Sequence, residues 1–175
     1  MKRLFVLDSS AFLDGFNPTN LEEITFIMPK SVIAEIKDLN SKARLENYIA
    51  ARKIIVVWPE EATRKKVRDI ATKLGDLVFL SDVDIDVISV ALSYKLKNEN
   101  VSILSNDYTI ANISRKLGIK VETYTKKGIK KIKRSVLYCI SCGRTFYTKK
   151  LLNMKICPIC GGRLIRRRIN TSWVN

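Results

Sequence analysis

Short apolar runs alternate with longer segments in which apolar residues recur every three or four positions, through the first two thirds of the chain. The short runs predict buried strands, and the longer segments predict helices with one apolar face. The predicted strands cover residues 4–7, 25–28, 54–58, 101–104 and 121–124, and the predicted helices cover residues 31–38, 42–53, 60–74, 82–98 and 108–117. This alternation indicates an α/β fold, a parallel sheet flanked by helices.

The helix predicted for residues 82–98 begins with three carboxylates, Asp82, Asp84 and Asp86. At about 100° per residue, Asp84 falls on the apolar stripe of the helix, whereas Asp86 falls on a more polar, wetter face. Ser81 and Asp84 also match a capping box, and acids in a first turn are favoured by the helix dipole. A helix cap and a chemical site are therefore both open interpretations of this cluster.

Three further acids lie at the ends of predicted elements. Asp8 follows the first strand, Asp107 follows the strand 101–104, and Glu35 borders the inward face of the helix 31–38. Ligands bind at the carboxyl edge of open parallel sheets, so we expect Asp8 and Asp107 on that edge, within reach of Glu35 and Asp84. Caps and an exposed helical glutamate are the alternative. Because clustered carboxylates repel one another, their convergence predicts bound Mn(II) or Mg(II).

Histidine is absent from the 175 residues. Its absence excludes Ser-His-Asp triads, zinc hydrolases that use histidine ligands, and acid–base catalysis by imidazole. Hydrolytic chemistry in this chain would have to rest on carboxylates and on the cations that they bind.

The positive charge is concentrated in the last fifty residues. Residues 1–125 carry 18 Lys and Arg against 17 Asp and Glu, whereas residues 126–175 carry 14 Lys and Arg and no acid. This segregation favours binding to phosphates, although a solvated basic tail is the alternative. The candidate phosphate-binding residues, which would bind RNA if the chain acts on RNA, are Lys127, Lys130, Lys131, Lys133, Arg134, Arg144, Lys149, Lys150, Arg166, Arg167 and Arg168.

Four cysteines follow the pattern C-x₂-C-x₁₄-C-x₂-C at Cys139, Cys142, Cys157 and Cys160. The spacing is typical of tetrahedral zinc sites, and four cysteine ligands leave no open position, so we expect one structural Zn(II). Two disulfides would need an oxidising compartment. The predicted division is an α/β domain at 1–125, a basic linker at 126–135, and a small β zinc ribbon with a basic tail at 136–175.

No apolar run approaches the ~18 residues of a membrane span. The apolar run after Met1 ends at Asp8, which is too short for a signal sequence. We therefore expect a soluble, cytoplasmic protein without membrane contacts.

The motif around Asp8, Glu35 in a helix, Leu80-Ser81-x-x-Asp84 and Ser105-Asn106-Asp107 resemble the four acidic motifs of PIN-domain nucleases. With the four-cysteine ribbon, the chain is similar to the archaeal Nin-one-binding family of ribosome-assembly endonucleases. The resemblance implies Mn(II)- or Mg(II)-dependent cleavage of precursor ribosomal RNA at the 3′ end of the small-subunit RNA. The acids at Asp8, Glu35, Asp84 and Asp107 would bind the metal.

The partners implied by this resemblance are the RNA of a pre-ribosomal particle and assembly-factor proteins. Two other functions stay open at this point. One is an RNA-binding assembly factor without catalysis, which would bind RNA strongly and cut nothing. The other is a toxin-type PIN nuclease acting on transfer RNA, a kind of protein that usually lacks a zinc ribbon.

Overall fold

The structure is a computed structural model, and it describes residues 3–16, 24–124, 133–146 and 154–170. Side-chain surroundings are described for all of these except residues 133–135 and 168–170. In the described part of the chain, no helix is long and apolar enough to cross a membrane.

Five parallel strands form the central sheet, in the order β3-β2-β1-β4-β5. They are β1 (Arg3–Leu7), β2 (Ile24–Pro29), β3 (Ile54–Val57), β4 (Val101–Leu104) and β5 (Lys120–Glu122). Strand β1 lies in the middle, and all five residues of β1 except the first are buried. The predicted α/β fold with a parallel sheet is confirmed, because buried apolar strands alternate with helices as the sequence pattern indicated.

Six helices flank this sheet: α1 (Ser9–Leu13), α2 (Lys30–Glu35), α3 (Leu39–Ala50), α4 (Glu61–Leu74), α5 (Asp82–Leu96) and α6 (Tyr108–Lys116). A 3₁₀ turn, Leu77–Phe79, joins α4 to α5. The helix predicted for 31–38 ends earlier, at Glu35, because Asp38 instead caps α3 by accepting from Ser41 N–H at 2.8 Å.

The prediction that one face of α5 is exposed to solvent is wrong. Every residue from 85 to 93 is buried, including Asp86, Ser89 and Ser93. The helix packs against the sheet and also against α4 and α6, so its polar side chains are paired rather than hydrated. Ser89 Oγ donates to Ile85 O at 2.6 Å, and the hydroxyl oxygens of Ser93 and Thr63 lie 3.2 Å apart.

The cysteine-containing region forms a separate antiparallel sheet in the order β7-β6-β8, with β6 (Lys133–Cys139), β7 (Thr145–Phe146) and β8 (Leu164–Asn170). We refer to this region as the ribbon and to residues 3–124 as the nuclease domain. The predicted small β domain is confirmed, while the predicted linker boundaries at 126 and 135 stay predictions. The buried apolar cluster of the ribbon consists of Leu137, Cys139, Phe146, Cys157 and Leu164.

Candidate active site and metal centre

Asp8 follows the middle strand of the sheet and is only 5% exposed. Strands β1 and β4 pair with Leu7 opposite Leu104, so Asp8 and Ser105 are the next residues at the carboxyl edge. Asp8 Oδ2 accepts from Ser10 Oγ at 2.7 Å and from Ser105 Oγ at 2.8 Å. These two hydroxyls fix the position of the carboxylate.

Ser105 links Asp8 to Asp107. Its hydroxyl donates to Asp8 and accepts from Asp107 N–H at 2.9 Å. Asp107 is the N-cap of α6, and its Oδ1 accepts from Thr109 N–H at 2.6 Å. Two acids that are 99 positions apart in the sequence therefore share one bridging serine, as expected for neighbouring strand ends.

Asp84 belongs to the predicted capping box at the start of α5. Its Oδ2 accepts from Ser81 N–H and Ser81 Oγ, each at 2.8 Å, and its own N–H donates to Ser81 Oγ at 3.1 Å. Asp82 lies 2.7 Å from Arg68, and Asp86 lies 2.8 Å from Arg64. Asp84 is thus the member of the trio that the described ion pairs do not neutralise.

Electrostatic repulsion connects Asp84 with the two strand-end acids. Burial raises the pKa of Asp84 to about 6, and the charges of Asp107 and Asp8 add to that rise, while the bonds from Ser81 oppose it. Burial also raises the pKa of Asp8, against the hydrogen bonds from Ser10 and Ser105. Raised values of this kind are typical of acids that are crowded together and short of positive charge.

Glu35 is the last residue of α2 and is exposed. Helix α2 contacts α5, which carries Asp84. The charges that raise the pKa values of Asp8 and Asp84, however, come from aspartates and not from Glu35. The structure therefore brings Asp8, Asp84 and Asp107 into one electrostatic group and leaves Glu35 on an adjoining helix.

Each of the three aspartates uses one carboxylate oxygen locally. Among the described hydrogen bonds, none involves Asp84 Oδ1 or Asp107 Oδ2, and Asp8 Oδ1 has only the 3.4 Å contact with Ser9 Oγ. These second oxygens are hard donors, the ligand type that Mg(II) and Mn(II) prefer. The residues present fit a hard divalent cation.

The carboxylate oxygens of the three aspartates lie farther apart than the sulfur atoms of the four cysteines. In the described part of the chain, the cysteines are the one group of three or more potential ligands whose donor atoms all lie within 4.8 Å of one another. The carboxylates are spaced more widely than that, which suits a cation that retains several of its waters.

The four cysteines come together between the ribbon strands and are free of disulfides. Sγ of Cys139 lies 3.5 Å from Sγ of Cys160, and Sγ of Cys142 lies 3.8 Å from Sγ of Cys157. Sulfurs bound at about 2.3 Å to a tetrahedral zinc lie about 3.8 Å apart. A hydrogen bond from the backbone of Cys142 lowers the pKa of the Cys139 thiol, whereas the pKa of Cys160 is raised, against a backbone hydrogen bond from Gly162, by side-chain hydrogen bonds with Cys142 and Cys139. The cluster is consistent with a structural zinc.

The predicted RNA-binding residues are only partly described. Lys127, Lys130, Lys131, Lys149 and Lys150 lie outside the described residues, as do the side chains of Lys133, Arg134 and Arg168. Arg166 and Arg167 are exposed on β8, and the Arg167 guanidinium lies 4.0 Å above the centre of the Tyr138 ring. Arg144 instead lies against Gly75 of the nuclease domain.

Two contributors to the acidic site were missed by the sequence reasoning. Ser105 bridges two acids, and Tyr124 OH donates to Asp14 Oδ2 at 3.2 Å beside the site. Burial, and also the charges of Asp14 and Asp8, raise the pKa of Tyr124. The one sequence signal for Ser105 is its position directly after a buried strand; nothing in the sequence links Tyr124 to Asp14, because 110 residues separate them.

Comparison with known proteins agrees with this geometry. The family profile described as the PIN domain of ribonuclease matches residues 5–96. That match covers more than half of the chain and includes Asp8, Glu35 and Asp84. Fold, acids and family profile thus define the class, a PIN-domain ribonuclease.

Two curated relatives are similar along nearly their whole length. The chain is 39% identical over 170 residues to Endoribonuclease Nob1 of Pyrococcus abyssi, covering 96% of this chain and 97% of that protein. It is 32% identical over 163 residues to Endoribonuclease Nob1 of Methanothermobacter thermautotrophicus, covering 93% and 92%. Ribonuclease VapC1 of Thermoplasma acidophilum is 31% identical over 166 residues, covering 93% of this chain and 77% of that protein. The chain belongs to the Nob1 family of PIN-domain endoribonucleases.

Proposed function

We propose that this endoribonuclease cuts precursor ribosomal RNA at the 3′ end of the small-subunit RNA, within a pre-ribosomal particle. Asp8, Glu35, Asp84 and Asp107 hold Mn(II) or Mg(II) in this proposal, and the basic residues of the ribbon bind the RNA. Support for the RNA substrate comes from the family, and support for the division of labour comes from the charge distribution, because residues 126–175 carry 14 Lys and Arg and no Asp or Glu.

The grouping of Asp8, Asp84 and Asp107 at the carboxyl edge of the sheet is the observation that carries the chemistry. Burial and neighbouring carboxylates raise the pKa values of Asp8 and Asp84, and a bound divalent cation would stabilise their ionised forms. A divalent cation bound there would activate water and stabilise charge on the phosphate and on the leaving 3′ oxygen.

Residues of the chain orient the metal-binding carboxylates, and the charge of one of them depends on pH. Ser10 and Ser105 hold Asp8 in one orientation, and Ser81 holds Asp84 at the start of α5. Preorganised groups of this kind cost no rearrangement during reaction. Asp84, with a pKa of about 6, is largely ionised at neutral pH and loses its charge in mild acid.

Cleavage of a precursor small-subunit RNA fragment with Mn(II) tests this proposal. Asp8→Asn and Asp84→Asn should each lower the rate roughly hundredfold or more, the scale of losing one preorganised electrostatic group. Asp82→Asn is the matched control, since Asp82 is exposed and paired with Arg68 only two positions from Asp84. Rates that are undiminished in both site variants would exclude the proposed metal site, and cleavage at other positions only would exclude the 3′-end assignment.

A further inference from the structure

An aromatic contact joins the ribbon to the nuclease domain. The rings of Phe79 and Phe146 lie edge to face, with centroids 5.4 Å apart and planes at 73°. Phe79 ends the 3₁₀ turn after α4, whereas Phe146 ends β7 and is buried in the ribbon core. Phe79 is therefore the nuclease-domain residue that packs against the apolar cluster of the ribbon.

A second contact between the two parts is polar. Gly75 ends α4 in a left-handed conformation, with φ of 71°, and a methyl group added there would collide with the Arg144 guanidinium. Burial raises the pKa of the neighbouring Asp76, whereas a hydrogen bond from Asn112 Nδ2 at 2.5 Å and the charge of Arg144 oppose that rise. A cation of the ribbon thus approaches a partly buried carboxylate of the nuclease domain.

The nuclease-domain residues of both contacts, Gly75 and Phe79, precede Asp84 by fewer than ten positions. Phe79 N–H donates to Asp76 O at 3.0 Å, and Leu80 N–H donates to Leu77 O at 3.1 Å, so the turn is closed by its own hydrogen bonds. Ser81 follows at once as the N-cap of α5. Five positions of hydrogen-bonded backbone therefore separate the aromatic contact from the Asp84 carboxylate.

We propose that Phe79 and Arg144 fix the ribbon in one position on the nuclease domain, so that RNA bound to the ribbon reaches Asp84 in a defined register. Phe79 is a positioning residue in this arrangement. Arg144, which the sequence indicated as an RNA contact, serves docking instead. The inference rests on the proposed function only in that the substrate is RNA; the docking is a property of the free protein.

Docking of this kind differs from tethering. A ribbon on a flexible tether raises the local concentration of RNA but leaves many phosphates able to reach the acids. A fixed ribbon selects one phosphate, because small displacements of a reacting group are costly for rate. The proposal therefore predicts effects on the site and rate of cleavage that exceed the effect on RNA binding.

Phe79→Ala is the informative variant, because Phe146 is needed for the ribbon core and Phe79 is not part of that domain. Val78→Ala is the matched control, since Val78 occupies the same turn with a side chain that is 74% exposed. In the zinc-loaded full chain without RNA, ¹⁵N relaxation should give equal rotational correlation times for ribbon and nuclease domain in the wild type and in Val78→Ala. In Phe79→Ala the ribbon should tumble faster. Unequal times in the wild type, or equal times in Phe79→Ala, would overturn the docking.

Cleavage supplies the second readout. Phe79→Ala should keep RNA affinity within about twofold, since the cations are intact, while the single-turnover rate at the wild-type position falls roughly tenfold or more and new cuts appear. An unchanged rate and cutting pattern would contradict the positioning role. A wild type that tumbles as one body yet cuts no RNA would exclude the proposed function and leave the docking standing.

Arg144→Gln tests the reassignment of that residue. A phosphate contact contributes about 0.7 to the slope of log affinity against log salt for a single strand. Arg144→Gln should leave this slope unchanged and should free the ribbon in the relaxation experiment. A slope lowered by about 0.7, with tumbling unaltered, would return Arg144 to the RNA surface and refute the docking role.

Discussion

The nuclease domain and the ribbon are stabilised in different ways. The nuclease domain has one large cluster of buried apolar residues that runs from Leu4 to Tyr124 and includes every strand before the ribbon except β5. The ribbon cluster has five buried residues, and two of them, Cys139 and Cys157, are zinc ligand candidates. Apolar burial folds the first part, whereas we propose that the second depends on a bound zinc.

Charge is also used differently in the two parts. All six ion pairs that the structure describes lie between residues 3 and 122, within the nuclease domain. Residues 126–175 carry 14 Lys and Arg and no Asp or Glu. The nuclease domain therefore pairs many of its charges internally, whereas we propose that the cations of residues 126–175 bind phosphates.

Loss of zinc should produce the largest difference between the two domains, because only the ribbon is expected to unfold. Cys157→Ser removes one of four ligands, and zinc binding contributes on the order of 10 kcal/mol to the folding of such domains. We expect the ribbon resonances in ¹⁵N–¹H spectra to collapse to unfolded positions while those of the nuclease domain persist. Ser141→Ala, between two of the ligands, is the control. A ribbon that stays folded in Cys157→Ser would show that apolar packing suffices.

Two aspartates of α5 test the ion pairs of the nuclease domain. Asp86 is buried beside Arg64, with Nε and Oδ1 2.8 Å apart but not aligned as a hydrogen bond, whereas Asp82 pairs with Arg68 in solvent. Asp86→Asn should lower the free energy of unfolding by about 2–3 kcal/mol, because a cation loses its buried partner. Asp82→Asn should cost less than about 0.5 kcal/mol. Urea denaturation measures both, and equal losses would contradict the assignment.

Exposed cations test the charge side of the comparison. Arg166→Gln with Arg167→Gln removes two charges from the ribbon, and Lys65→Gln with Lys66→Gln removes two from the exposed face of α4. The ribbon pair should lower the salt slope of RNA binding by about 1.4, and the helix pair should leave it unchanged. If both double variants lowered the salt slope by the same amount, RNA would contact both domains.

Asp84 provides the smallest expected effect. Its pKa is about 6 in the folded protein and 3.8 ordinarily, so the native state binds the proton more tightly than the unfolded state. Stability without added Mn(II) or Mg(II) should therefore fall as pH rises from about 4 to 6, and Asp84→Asn should recover about 1–2 kcal/mol at pH 8.

Asp38 is the control of opposite sign. Hydrogen bonds from Ser41 lower its pKa, so its contribution to stability is present at neutral pH and is lost in acid. Urea midpoints at pH 3, 4, 6 and 8 distinguish the two. If the urea midpoint of Asp84→Asn depended on pH in the same way as that of the wild type, the raised pKa of Asp84 would be refuted.

Local patterns predicted most of the fold. Buried runs such as Leu4–Leu7 and Val101–Leu104 are recognisable within a few residues, and so are the acids that follow them and the paired cysteines. Long-range pairing was not recognisable. Asp86 was expected in solvent because its partner Arg64 is 22 positions away on another helix. Nor does any periodicity reveal that Ser105 joins Asp8 to Asp107, because strand register decides that contact.

The contact between Phe79 and Phe146 illustrates the same limit between domains. In the sequence, Phe79 lies in an apolar run and Phe146 lies beside Tyr147, and neither position indicates the other as a partner. Their meeting depends on the final placement of two separately folded parts, which hydrophobic spacing does not encode. The docking role that we propose for Arg144 was hidden for the same reason, since its neighbours Gly75 and Asp76 belong to the other domain.

The middle place of β1 in the sheet has a consequence for the kind of nucleic acid that the enzyme accepts. Asp8 N–H donates to Leu104 O, and β1 is bonded to a strand on either side, so the backbone below this acid has no freedom to follow an incoming strand. Adaptation must then come from the polynucleotide. We therefore propose that the site favours unpaired RNA, which bends to such an anchor more readily than a duplex does.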